Sequence, residues 1–381
     1  MAAFKLAFPK INLSGVGAIE ALVERLVETH ANAPGLLICD PAMVELGFAR
    51  KLLDSELNLS LFDGVKPNPD TETVNSAFDQ FATAQATYII GFGGGSAIDT
   101  AKAIRILSAN PGPIASYNGV EKVKVIGSPL YAINTTAGTA AEVTSNAVIT
   151  DTATHVKHVI ISDKIIPDTS VNDPSVMLSI PAAVTAATGI DALTHAVESY
   201  VSVGAHSLTD YVSLESIRLI AENLPKAVDN GQDVEAREKM AYGQFIAGLS
   251  FNSAGLGMVH AMAHPGGAQK DLPHGVCNAI LLPIVCEYNR PYRVEKFAKV
   301  AEAMGVDTAG MTVEQASVAA IDAINALNKR VGIPAGFATL GVTEEDVLSW
   351  VDDAMADPCA GGNPHPMSRE DVITLYKRSL G

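Results

Sequence analysis

Short apolar runs alternate with longer stretches in which apolar positions recur every three to four residues, and this alternation organises the first half of the chain. Gly35–Asp40 (GLLICD) is an apolar run closed by an acid, Tyr88–Phe92 (YIIGF) is a second, and Pro129–Ile133 (PLYAI) a third. Ala18–Thr29 and Thr71–Ala86 carry helical spacing between them. Strand-like runs separated by amphipathic segments predict a largely parallel sheet covered by helices, because a strand buried on both faces loses the in-and-out alternation of a half-exposed one. A further strand-like run, TATHVKHVIIS, holds His155, Lys157 and His158.

The pattern changes near Pro181. From there to about Val228 the chain is rich in Ala, Leu, Val and Ile at helical spacing. Helical patterns continue through Glu235–Phe251, Val294–Met304, Val313–Val331 and Glu344–Met355. The expectation is an α/β domain over residues 1–180 and an all-α domain over residues 181–381. A chain of 381 residues with 48% hydrophobic and 18% charged residues has the material for two such cores.

Charge narrows the partners. Asp plus Glu number 42 against 26 Lys plus Arg, a formal net charge of -16. So acidic a chain lacks the basic footprint of a nucleic-acid binder. The start, MAAFKLAFPKINLSG, has no sustained apolar core or cleavage pattern of a secretory signal, and no apolar run reaches the ~18 residues of a membrane span. Cys39, Cys277, Cys286 and Cys359 form no CxxC pair or disulfide scaffold, so reduced thiols in a cytoplasmic protein are expected.

Gly91–Thr100 reads GFGGGSAIDT, after an apolar run and before a helical pattern. Strand, glycines, helix is a layout that sets a pyrophosphate on the backbone N–H groups of a helix N-terminus. Gly93, Gly94 and Gly95 allow positive φ, and Ser96 is the expected N-cap. The turn is neither GxGxxG nor a Walker motif, and a plain flexible loop is the competing reading. Asp40, at the end of an early strand, can accept hydrogen bonds from an adenosine ribose diol and would repel a 2′-phosphate, favouring NAD over NADP; a solvated loop acid is the alternative. The NTTAGT run Asn134–Thr139 and Lys157 admit the same two readings, ligand contact or ordinary turn and surface lysine.

Metal chemistry is written more strongly. Asp191 and His195 are four apart in a helical segment, which puts both on one face. His260 and His264 repeat that spacing, and His274 follows in DLPHG. Imidazoles with one carboxylate suit Fe²⁺, Zn²⁺, Co²⁺ or Ni²⁺. Spacing leaves open which of these five residues are ligands.

Taken together, PNP (Pro67–Pro69), GGGSAIDTAKAI, NTTAGTAAEVT, SVNDP (Ser170–Pro174), TAATGIDALTHAVE, GLGMVHAMAH and LPHGVCNAILLP resemble the iron-dependent (group III) alcohol dehydrogenases along nearly the whole chain. The resemblance implies a Rossmann-like N-terminal α/β domain and an all-α C-terminal domain, the fold shared with dehydroquinate synthase, with the site in the cleft between them. It implies reversible hydride transfer between NAD(H) and a short-chain alcohol or aldehyde, with Fe²⁺ or another divalent ion as Lewis acid. It places Asp191, His195, His260 and His274 on the metal-ligand positions and His264 beside the nicotinamide as a catalytic group. Gly94, Gly95 and Ser96 fall on the pyrophosphate turn and Asp40 on the ribose acid; Asn68, Thr135, Thr139, Asn146 and Lys157 fall on further cofactor positions. A homodimer or larger homo-oligomer is implied as well. The pattern departs from many relatives at Gly266, Cys359 and His365, in stretches expected to border the substrate pocket, so ethanol, butanol, propanediols and lactaldehyde all stay open. The zinc-dependent dehydroquinate synthases and glycerol dehydrogenases are the rival reading, and the three-histidine pattern speaks against them.

Overall fold

Six parallel strands in the order β1-β9-β6-β4-β2-β3 make the central sheet of the first of two compact units, Ala7–Thr136 with Ala140–Leu178. They are β1 (Ile11–Ser14), β2 (Gly35–Cys39), β3 (Leu59–Phe62), β4 (Tyr88–Gly93), β6 (Leu130–Asn134) and β9 (Thr169–Asn172). The structure is a computed structural model that describes residues 4–153 and 156–381; His155 lies outside the described residues. The three strands read from apolar runs, β2, β4 and β6, are adjacent and buried at every position. Of the strands of this sheet not read from the pattern, β1 and β3 sit at the two edges and β9 lies buried between β1 and β6, and all three are only four residues long.

Register fixes what the sheet presents. Cys39 pairs with Phe92, Gly93 with Asn134, and Asn134 with Asn172, so these strands end level. Asp40, the glycine turn and the NTTAGT run therefore leave the sheet at one carboxyl edge, where open parallel sheets bind ligands. Helices α1 (Ala18–His30), α2 (Pro41–Glu45) and α3 (Phe48–Leu53) pack one face through Ile19, Leu22, Leu26, Ala49 and Leu52. Helices α4 (Thr71–Thr83) and α5 (Gly95–Leu107) pack the other through Val74, Phe81, Ala101 and Ile104. A small second sheet, β5 (Gly119–Val120), β8 (Val156–Ile161) and β7 (Asn146–Asp151), carries Asn146 and Lys157, with Thr150 opposite Lys157 in the antiparallel β7–β8 pair.

The second unit is helical and, among the described residues, comprises Ser179–Gly381 with Ala137–Thr139 and residues 4–6. Its centre is α6 (Ala182–Val201), buried on all sides from Thr185 onward except at Thr188 and packed by α7 (Ser207–Asp229), α8 (Val234–Ala254) and α10 (His274–Asn289). A helix buried all round is a core helix, so charged residues on it need a reason. α9 (Met258–Lys270) packs against α10. The helix expected over Glu344–Met355 is instead two, Glu344–Ser349 and Val351–Ala356. They meet at Trp350, fully buried, whose indole is held edge-on by Phe337 and Tyr376 at 5.8 and 5.9 Å. No single helix among the described residues is long and apolar enough to cross a membrane.

Candidate active site

Asp191 and His195 face the same way from α6, and His260 reaches them from α9. One donor atom from each of these three lies within 4.8 Å of the others. His274 opens α10, with its Nε2 3.6 Å from Asp191 Oδ1. This approach depends on Gly275: a Cβ there would sit 2.4 Å from the Ala187 carbonyl oxygen of α6, so only glycine lets the two helices come so close. The amide nitrogen of Asn278 marks where the donors converge. It lies 2.6 Å from Asp191 Oδ1 and 3.1 Å from Nε2 of both His260 and His274.

The electrostatics suit a cation. Burial pushes His195 down to about 3, against the pull of the Asp191 carboxylate, and burial pushes His260 down to about 3. Both imidazoles are therefore neutral near pH 7, with lone pairs to give. Burial raises the Asp191 carboxyl, while His195 and the Asn278 amide work to lower it. A buried carboxylate among neutral imidazoles lacks a compensating positive charge, and a divalent ion is the group that fits. His260 is also held from behind. Its Nδ1 is 2.6 Å from Glu198 Oε2, and Glu198 Oε1 accepts the Val259 N–H at 2.7 Å. A carboxylate on Nδ1 fixes the tautomer that leaves Nε2 as the donor.

His264, one turn further along α9, makes different contacts. Its Nδ1 is 2.7 Å from Asp357 Oδ2, and its ring stacks on His274 at 5.3 Å between centroids. Burial works to raise Asp357, but His264 and the Cys359 backbone N–H overcome it and hold the carboxyl down at about 2.

In the α/β unit the glycine turn differs from expectation in one respect. The N-cap of α5 is Gly94, not Ser96, which lies inside the first turn. Of the three glycines only Gly93 has positive φ, at 153°. A Cβ on Gly93 would meet Ala97 Cβ at 2.8 Å and Asp40 Oδ2 at 3.0 Å, so there is no room for a side chain at this position. The same crowding places the Asp40 carboxylate beside the turn. Asp40 also caps α2 through the Met43 N–H, and burial raises its carboxyl against that hydrogen bond. Thr135 is buried, and its N–H bonds the Gly93 carbonyl at 3.1 Å. Asn68, with φ 52°, accepts from Lys157 Nζ at 3.0 Å, and the Asn146 carbonyl accepts from Lys102 Nζ at 2.7 Å. Thr139 belongs to the helical unit.

Comparison with known proteins settles the family. Residues 9–174 match the model described as iron-containing alcohol dehydrogenase, and residues 185–380 match the Fe-containing alcohol dehydrogenase family, C-terminal. This chain belongs to the iron-containing alcohol dehydrogenase family. It is similar to an NAD-dependent methanol dehydrogenase of Bacillus methanolicus, at 40% identity over 98% of each chain. It is similar to a lactaldehyde reductase of Escherichia coli (strain K12), at 42% identity over 95% of this chain and 96% of the other. A solved 1,3-propanediol oxidoreductase superposes with a TM-score of 0.96 at 41% identity, covering 99% of this chain and all of the other. As a family member the protein is a metal-dependent alcohol dehydrogenase, an oxidoreductase acting on CH–OH groups.

Against that family background, the structure adds residues that the motifs did not single out. Glu198 lies three residues beyond His195 on the same face of α6, and Asn278 lies four beyond His274, so helical spacing carried a signal for both. Asp357 is far away in sequence and carried none. In the α/β unit, Lys102 is fully buried on α5 with Asp99 one turn before it, and Asp99 accepts the Val148 N–H at 3.0 Å. Burial drives Asp99 up and Lys102 down. The three departures from the family pattern separate. Cys359 lies with His264 and Asp357. A Cβ on Gly266 would point at Cys277, Trp350 and Leu272, so that position faces packing. His365 stacks on Tyr292 at 3.8 Å between centroids.

Proposed function

We propose that this enzyme interconverts a short-chain alcohol and its aldehyde with NAD(H), and that Asp191, His195, His260 and His274 hold its one catalytic divalent ion. The observation that carries the ligand set is the gathering of one donor atom each from Asp191, His195 and His260 within 4.8 Å of one another, with His274 Nε2 3.6 Å from Asp191 Oδ1. Methanol, lactaldehyde and 1,3-propanediol in the names of the relatives support a small substrate, and the NAD in the first supports the cofactor.

When bound, the ion supplies Lewis acidity that eases loss of the alcohol proton and polarises the aldehyde, and the nicotinamide carries the hydride. The chain's residues do the rest. Glu198 and Asn278 orient the ligands. His264, anchored at Nδ1 by Asp357, moves the alcohol proton through Nε2. The first turn of α5, with Gly94, Gly95 and Ser96, binds the pyrophosphate on backbone N–H groups. Asp40 takes the adenosine ribose, while Asn68, Thr135, Thr139, Asn146 and Lys157 line the remaining cofactor contacts. Four free cysteines fit a reducing compartment, the cytoplasm, and the enzyme works as a homodimer or larger assembly.

NAD-linked oxidation of a short-alcohol panel, with metal analysis before and after chelation, tests this reading. Turnover should vanish on chelation and return with Fe²⁺. Full activity in the metal-free protein, or turnover that needs NADP, would overturn it.

A further inference from the structure

Beside the active site lies a second group of donors. His264, Asp357 and Cys359 each offer one ligand atom, and the three atoms lie within 4.8 Å of one another. We propose that they form a second, inhibitory site for a thiophilic divalent cation of the Zn²⁺ or Cd²⁺ class.

Imidazole nitrogen, carboxylate oxygen and thiolate sulfur together are the mixed set that such ions take, and three protein ligands leave a fourth position for water. The framework is already assembled. His264 Nδ1 and Asp357 Oδ2 are 2.7 Å apart, so a cation can enter where a shared proton now lies. The Cys359 N–H donates to Asp357 Oδ1 at 2.8 Å, which ties the cysteine to the same carboxylate. As a residue Cys359 is only partly buried, whereas Cys39, Cys277 and Cys286 are buried. Burial, with Asp357 and Glu198 nearby, pushes that thiol up, so a cation binds there only by displacing its proton.

Coordination costs one proton, released from the Cys359 thiol to solvent. As Nδ1 of His264 becomes a ligand, the remaining ring proton sits on Nε2. Nε2 then has no lone pair with which to accept the alcohol proton, and turnover stops. Binding at this site stands apart from the proposed function; the inhibition rests on it, through the role given to His264.

Enzyme carrying one equivalent of iron is titrated anaerobically with Cd²⁺, reading bound cadmium, retained iron, the ultraviolet thiolate-to-cadmium band and turnover. One further equivalent should bind with iron retained, the band should rise with it, and activity should fall in step. Cys359→Ser should abolish the band, and Asp357→Asn should weaken cadmium binding by roughly tenfold or more. The site is refuted if no further equivalent binds, if cadmium replaces iron one for one, or if the band survives in Cys359→Ser. Binding with undiminished turnover refutes the inhibition. Iron retained in Asp191→Ala would overturn the catalytic ligand set instead, and leaves the cadmium band at Cys359 as its own readout.

Discussion

The Glu198 carboxylate lies 2.6 Å from Nδ1 of His260, with both side chains almost completely buried. The pair joins one of the proposed ligand histidines to the Val259 N–H in the first turn of α9, so Glu198 holds both the ring and the start of that helix. Glu198→Gln should weaken metal binding by about 10–100-fold, the usual effect of removing such a partner, and kcat should fall with occupancy. Metal dissociation followed with a competing chelator measures it. An unchanged dissociation constant would show that Glu198 is only a helix cap.

His264→Ala separates the two halves of the second histidine pair. The variant should keep its metal and lose turnover by about 10²–10⁴-fold, the range for a missing proton-transfer group. Metal content measured beside kcat decides the matter. Loss of the ion would mean that His264 is itself a ligand.

Both pairs were legible in the sequence because helical spacing is local: Asp191 with His195 and His260 with His264 share a face wherever the helix lies. The choice between His260 and His264 was not legible. The structure sets Glu198 behind one ring and Asp357 behind the other, and Asp357 arrives from a distant turn. The strands β2, β4 and β6 are legible as apolar runs, whereas β1 and β3 are short, partly exposed edge strands and β9 (TSVN), though buried, is short and largely polar. Serine's local preference for N-caps points to Ser96, but the helix begins at Gly95, with Gly94 as the cap and Ser96 inside the first turn.

Asp40→Gly should shift the cofactor preference toward NADPH by removing the charge that repels a 2′-phosphate. Stability should change by only a few tenths of a kcal/mol, since glycine is a tolerable N-cap. The ratio of kcat/KM for NADPH and NADH measures the shift. An unchanged ratio removes Asp40 from the ribose site.

Asp357 predicts an acid-side loss of stability. Its carboxyl is held at about 2 in the folded chain, below the unfolded value near ~3.9, so the unfolded chain binds more protons as pH falls between them. The stabilisation is complete above about pH 4 and disappears toward pH 2. Wild type should therefore exceed Asp357→Asn in urea midpoint at about pH 6, and the gap should narrow at about pH 3. A gap that is the same at both would remove the carboxylate charge as its cause.

The central claim is that one ion sits among Asp191, His195, His260 and His274. Anomalous scattering at the metal edge, from crystals of active enzyme with NAD, reads it directly. A single peak in contact with all four side chains is the predicted result. A peak coordinated by His264 in place of one of them, or no peak there in active crystals, would contradict it.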